Sequence, residues 1–305
     1  MCDGSNVAKL IPQSLVTTQQ VPMTVCGKKN IRIDVLRLDL IHPVISGNKY
    51  FKLKYPVIKA LESGAKGIVS FGGAYSNHLV ALAKYSADTG LRAVGIVRGE
   101  PGPQPSFALE DAVAYGMRLH HVPRSVYRNK ETLYDELRAR YPGYLIVPEG
   151  GRSADGIAGA AEIAALTNYM SYDVIACAVG TGTMLAGLLK AAGTHQEVLG
   201  ISSLKLKPGN DVEQFIENSV PGKPFKINYD FHFGGYAKHD KILIDFMNDC
   251  WQQFSLPTEF IYTAKLMYCL QQLVAEDYFP DNCRILAIHS GGLQGNRSIA
   301  GQLLF

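Results

Sequence analysis

Lys49 follows a glycine and an asparagine in the run Ser46-Gly47-Asn48-Lys49-Tyr50-Phe51-Lys52, in a tight turn directly after the strand-like stretch Ile31 to Leu40. Gly47 permits a sharp backbone bend and Asn48 can hydrogen-bond locally, so the amine is held on a defined path. A primary amine placed in this way can condense with an aldehyde. Lys52 lies three residues on, where a helix would put it on the same face. A second cation there would lower the first amine's pKa and favour its neutral, nucleophilic form. A solvated basic helix start explains the same residues and is the commoner use of a lone Gly-Asn-Lys.

A second constellation, Gly180-Thr181-Gly182-Thr183, joins an apolar run to a helical one. It offers backbone N–H groups and two hydroxyls at a helix N-terminus, a cradle for phosphate. Dinucleotide binding fails on spacing: GxGxxG would need glycine where Leu185 stands, and a P-loop lysine is missing. The plain alternative is close helix-to-sheet packing through small residues. Ser76 and Asn77, in Phe71-Gly72-Gly73-Ala74-Tyr75-Ser76-Asn77-His78, begin a helix, and N-capping is their ordinary use. The same terminus can receive a substrate carboxylate, with the Ser76 hydroxyl moving a proton and the Asn77 amide meeting a cofactor oxygen. His78 has the chemistry to titrate near neutrality, although a lone histidine in a first helical turn is more often structural. Thr263 is another N-cap candidate whose hydroxyl can face a ring nitrogen. Tyr236 and Tyr262 can hydrogen-bond a reacting group; core packing with a satisfied hydroxyl is the commoner fate of a tyrosine.

Residues this far apart need a scaffold that gathers loops. Apolar periodicity and glycine punctuation predict strands at Arg32 to Leu38, Gly67 to Phe71, Arg92 to Val97, Arg118 to Val122, Tyr144 to Val147, Val174 to Ala178, Val198 to Ser202 and Ile285 to Ile288. Helices are predicted at Tyr50 to Ser63, His78 to Thr89, Ser106 to Tyr115, Arg128 to Arg140, Gly156 to about Tyr169, Met184 to Ala192, Asp240 to Phe254 and Ala264 to Glu276. That alternation predicts an α/β fold with parallel sheet. With 305 residues, roughly two domains of about 150 residues each are expected, with a cleft between them.

The formal charge of +3 is slight, and Lys and Arg are interspersed with Asp and Glu, which gives nucleic acid or membrane binding no support. Six cysteines, Cys2, Cys26, Cys177, Cys250, Cys269 and Cys283, form no CxxC pair and no zinc-ligand spacing, so buried thiols and no metal site are expected. Met1 to Ser14 lacks an apolar signal core, which fits a reducing cytoplasm. Met1 to Ala8 reads as a disordered tail. The longest apolar stretch, Val174 to Leu189, is too short to span a membrane and is broken by the Gly-Thr repeat.

Taken together, the motifs resemble the D-cysteine desulfhydrase and 1-aminocyclopropane-1-carboxylate deaminase family of fold-type II, tryptophan-synthase-β-like pyridoxal-phosphate enzymes. The resemblance runs nearly end to end. It is carried by Gly47-Asn48-Lys49 with Lys52-Leu53, Gly72-Gly73 with Ser76-Asn77-His78, Pro148-Glu149-Gly150-Gly151, Gly180-Thr181-Gly182-Thr183, Tyr262-Thr263-Ala264-Lys265 and His289-Ser290-Gly291-Gly292. It implies a two-domain fold, each domain an open twisted, mostly parallel sheet flanked by helices. Residues 1–49 and 148–305 would form the larger, cofactor-binding domain, and 50–147 a smaller inserted one. It also implies that Lys49 bonds covalently to pyridoxal 5'-phosphate, that Lys52 belongs to the cofactor site, and that Asn77 contacts the phenolic oxygen. Gly180, Thr181, Gly182 and Thr183 would hold the phosphate, Thr263 would meet the ring nitrogen, and Ser76 would line the substrate side. The enzyme would be a homodimer acting on a small amino acid.

The cyclopropane deaminases carry glutamate after the tyrosine, where this chain has Thr263. A carboxylate would keep the ring nitrogen protonated and a strong electron sink; a neutral hydroxyl suits elimination of a good leaving group such as sulfide. Ser76-Asn77-His78 also resembles the desulfhydrase version. The expected reaction, in the lyase and hydrolase classes, is therefore α,β-elimination from D-cysteine, giving pyruvate, sulfide and ammonia. Lys49 or Ser76 would move the α-proton. Ala74-Tyr75, where the family more often has Ile-Gln, and Ala264, where glycine is usual, are departures that leave room for the cyclopropane amino acid or another D-amino acid. A non-catalytic pyridoxal-phosphate carrier is the more distant alternative.

Overall fold

The computed structural model describes residues 15–22 and 30–305. Cys2, Cys26 and the expected tail at Met1 to Ala8 lie outside these residues. The other four cysteines are buried free thiols, as expected.

Two sheets organise the chain. The first has six strands: β1 (Thr18–Val21), β2 (Arg32–Arg37), β7 (Val174–Val179), β8 (Glu197–Ser202), β9 (Lys226–Asn228) and β10 (Arg284–His289), in the order β1-β2-β10-β7-β8-β9. The second has four: β3 (Gly67–Gly72), β4 (Arg92–Arg98), β5 (Arg118–Val122) and β6 (Tyr144–Val147), in the order β5-β4-β3-β6. Every pairing is parallel except β1 with β2. Central strands β3 and β7 are buried along their whole length, the condition of a parallel sheet covered on both faces. This is the mixed α/β, mostly parallel architecture the sequence predicts.

Ten α-helices flank the sheets among the described residues: α1 (Asn48–Glu62), α2 (Asn77–Thr89), α3 (Phe107–Ala114), α4 (Arg124–Arg128), α5 (Lys130–Arg140), α6 (Ala154–Ala161), α7 (Thr183–Ala191), α8 (Asp211–Ser219), α9 (Lys241–Phe254) and α10 (Thr263–Ala275). Lys49 is therefore not in a turn. Gly47, at φ 64°, is the N-cap of α1, and Lys49 is the second helical residue. The strand before it also ends early, because Leu38–Ile41 close into a 3-10 turn.

The helix expected from Gly156 to about Tyr169 stops at Ala161, and 3-10 turns at Glu162–Leu166 and Tyr169–Ser171 follow. Glu162 receives hydrogen bonds from Lys54 and Tyr55 of α1, which ties that end of α6 to the neighbouring helix. A Cβ on Gly159 would lie 1.9 Å from the Phe51 carbonyl oxygen, so the small residues of α6 serve close contact with α1. Helix α1 thus packs on α6 and α7 of the six-stranded layer and also on α2, β3 and β6 of the other. Four strands and α-helices escape the sequence reading: β1, β9, α4 and α8. The last had visible signals, since Asn210 caps it through the Val212 and Glu213 amides, with Asp211 and Glu213 in its first turn.

Candidate active site

The loops at the carboxyl ends of the parallel strands converge on one cavity of about 440 Å³. Crevices outside these strand ends are where open α/β sheets bind ligands. Its wall includes Lys49, Lys52, Ser76, Asn77, Gly180, Thr181, Gly182, Tyr236 and Tyr262, drawn from segments far apart in sequence. Thr183 and Thr263 stand off that wall. Thr183 lies behind Thr181, their hydroxyls 3.2 Å apart, and Thr263 is fully buried at the start of α10. Tyr262 takes the wall position beside it: its ring centroid is 5.6 Å from Lys49 Nζ, and it lies against Gly180, where an added Cβ would come within 3.1 Å of the ring.

Lys49 is held by the turn after β10. The Ser290 carbonyl accepts the Asn48 amide at 3.2 Å and lies 3.4 Å from Lys49 Nζ. Behind that turn, His289 is buried and neutral. Its Nδ1 accepts the Gly291 N–H at 3.2 Å, so the proton sits on Nε2 and is donated to the Pro257 carbonyl at 2.8 Å. Asp39, close to Nδ1, is already forked onto Arg37.

Burial, rather than the neighbouring cation, is the main cause that depresses the Lys49 pKa, and Glu259 pulls against it. The expectation that Lys52 sets the Lys49 pKa is corrected. It is Lys52 that feels its partner: burial and then the Lys49 charge lower it to about 7. Both amines are available neutral far below the ordinary lysine range. We expect the rate at which apoprotein takes up pyridoxal 5'-phosphate to rise with pH through a midpoint below the ordinary lysine value of 10.5. Neutral amine is the reactive form, and lowering the pKa moves its appearance to lower pH. Stopped-flow absorbance checks this; a midpoint at or above 10.5 contradicts it.

Glu259 is a site residue that sequence reasoning missed. It is fully buried, and its carboxylate accepts the Ile261 amide at 2.8 Å and the Tyr262 amide at 3.0 Å, fixing the turn that presents Tyr262. Burial raises its pKa, while those amides and Lys49 oppose the rise. An acidic residue inside the otherwise apolar Phe260-Ile261 approach to a helix was the available signal. Lys265 was quoted only as part of a motif. Its Nζ donates to the His232 and Gly235 carbonyls, both at 2.8 Å, and so clamps the loop that carries Tyr236.

Ser76 caps α2, accepting the Leu79 amide at 3.3 Å while also lining the cavity, so capping and a site position coexist. His78 does not titrate near neutrality: burial, with Lys52 and Lys49 nearby, pushes it down to about 3. Its Nε2 lies 2.9 Å from Ser70 Oγ. Burial raises Tyr236 to about 12 and takes Tyr262 higher, so both phenols stay protonated and able to donate a hydrogen bond.

The wall fits pyridoxal phosphate. Two buried lysines share the cavity wall with the Gly180–Gly182 turn, where Gly182 at φ 83° caps α7 without a side-chain cap, leaving its first amides open to an anion. On the cavity wall, Asn48 Oδ1 and His78 Nδ1 are buried with no protein partner, as expected of atoms that complete their bonds on a bound group. Among the described residues no cluster of three or more His, Cys, Asp or Glu could hold a metal ion, and no helix is long and apolar enough to cross a membrane.

Fold and site together define a pyridoxal-phosphate enzyme of fold type II. The family model described as "Pyridoxal-phosphate dependent enzyme" matches residues 29–291, and the chain belongs to that family. It is 28% identical over 284 residues to a putative 1-aminocyclopropane-1-carboxylate deaminase of Pyrococcus abyssi, covering 87% of this chain and 86% of that protein. It is 25% identical to the D-cysteine desulfhydrase of Klebsiella pneumoniae, over 85% of this chain and 86% of that one. A crystal structure of an ACC deaminase homologue superposes with a TM-score of 0.80 at 22% identity, covering 99% of this chain and all of that one. These names speak of deamination and desulfhydration, so the expected hydrolase class is dropped.

Proposed function

We propose that this chain is a pyridoxal-phosphate-dependent lyase that removes a β-substituent and ammonia from a small amino acid, with D-cysteine the leading substrate. The observation that carries this choice is Thr263: a neutral hydroxyl, buried and without a protein partner, where the cyclopropane deaminases carry a carboxylate. Lys49 would hold the cofactor covalently, Lys52 and the Gly180–Thr183 turn its phosphate, Asn77 its phenolic oxygen and Thr263 its ring nitrogen. When bound, the cofactor withdraws electrons from the substrate's α-carbon and acidifies its C–H bond.

The chain's own groups do the rest. The N-terminus of α2 receives the substrate carboxylate. Lys49, neutral once released, takes the α-proton; the Ser76 hydroxyl is the second candidate. Tyr236 and Tyr262 donate hydrogen bonds to the departing group. With D-cysteine and one water, which supplies the keto oxygen, the products are sulfide, pyruvate and ammonia.

The same reading divides the chain into a larger domain, 1–49 and 148–305, and a smaller one, 50–147, with α1 as the joint. A homodimer working in the cytoplasm, independent of nucleic acid and membranes, completes it. Sulfide and keto-acid assays over D-cysteine, L-cysteine and 1-aminocyclopropane-1-carboxylate test the substrate. Sulfide from D-cysteine is expected; 2-oxobutyrate from the cyclopropane amino acid with no sulfide would overturn the choice.

A further inference from the structure

Arg98 ends β4, and its side chain joins the cavity wall alongside Gly73, Ser76 and Asn77. A Cβ built on Gly73 would stand 3.5 Å from the guanidinium Nη2, so the arginine fork lies against the loop that leads into α2. Among the described residues no carboxylate pairs with it; it faces the Tyr127 ring at 5.8 Å. The other guanidinium on the wall, Arg152, is spent on Asp211, bonding its carboxylate at 2.9 Å and its carbonyl at 2.5 Å. His78, 6% exposed, adds a buried Nδ1 without a partner on the same wall.

We propose that Arg98 grips the carboxylate of the amino-acid substrate, beside the N-terminus of α2, and so sets the preference for amino acids over simple amines. The assignment rests on the amino-acid reading of the site given above. Lys49 and Lys52 are committed to the cofactor, which leaves Arg98 as the cation available for a second anion. A planar guanidinium matches a carboxylate with two parallel hydrogen bonds. Its charge also reaches Tyr236, opposing part of the rise that burial causes in that phenol, and Gly73, Arg98 and Tyr236 share the cavity wall. Glu149 shares the wall and is the competing anion.

Absorbance titrations of the holoenzyme with racemic alanine and racemic alaninol, which differ at the carboxylate, test this. Wild-type protein should bind alanine the more tightly. Arg98→Gln should weaken alanine about tenfold, the modest size reflecting a partly exposed guanidinium, and leave alaninol within about twofold. Arg98→Lys should recover part of the loss, and salt should narrow the wild-type gap. Equal weakening of both ligands, with a lowered melting temperature, would make Arg98 structural and overturn the proposal. So would unchanged alanine binding, or a loss seen with racemic aspartate alone, which would assign Arg98 to a side-chain anion. If neither ligand perturbs the wild-type spectrum, the amino-acid reading itself fails, and the assignment of Arg98 falls with it.

Discussion

Lys49→Ala should abolish the covalent link to pyridoxal phosphate and slow turnover by roughly 10³-fold or more, since in the proposed mechanism one substitution removes both the attachment point and a proton acceptor. The fold should survive. A buried amine with a depressed pKa contributes little to stability, and Ala is a good helix former in the first turn of α1. The measurement is kcat with D-cysteine, alongside cofactor content and the thermal transition. A variant that keeps wild-type turnover would place the chemistry on another amine, and Lys52 is the only other lysine on the cavity wall among the described residues.

Gly47→Ala should be the most damaging single methyl group near the site. The new Cβ would lie 1.9 Å from the Ser290 carbonyl oxygen, 2.2 Å from its carbon and 2.5 Å from the Gly291 nitrogen, all of them backbone atoms. Gly47 also sits at φ 64°, where a side chain is strained. Neither neighbour can yield freely, because the Ser290 carbonyl receives the Asn48 amide and Gly291 is closed in by Ser46 and Gly47 in turn. A loss of roughly 3 kcal/mol is expected, the range of overpacking combined with backbone strain, together with weakened cofactor retention. Gly64→Ala is the control. It has φ 66° but nothing within 4 Å, so it should cost only about 1 kcal/mol of conformational strain. Urea midpoints of the two variants decide the matter; equal midpoints would mean that the Ser290 turn gives way without cost.

Much of this architecture was legible because it is written in local patterns. The strands β3, β4 and β7 are apolar runs bounded by glycine or charge, and α2 carries its own start and stop, Ser76 and Gly90. Contiguous motifs also travel intact, so Lys49, Lys52, Asn77 and the Gly180 turn arrive at one cavity. What escaped depends on where separate segments meet. Arg98 and Glu259 look like ordinary charges until the ends of β4 and the turn before α10 bring them to the Gly73 loop and to Lys49. The cause of the Lys49 shift is hidden from the sequence for the same reason: the neighbouring cation is visible there, and the desolvation is not. Helix α6 overran in the reading because its alanine-rich continuation has good helix propensity, while Lys54 and Tyr55 of a distant helix hold Glu162 where the α-helix gives way to a 3-10 turn.

The most direct test is borohydride reduction of the purified protein followed by mass mapping of its peptides. Reduction should fix one phosphopyridoxyl group per chain on the peptide that contains Lys49, and D-cysteine added before the reductant should abolish that labelling. Labelling on Lys52 or elsewhere, or none at all after incubation with the cofactor, would contradict the account.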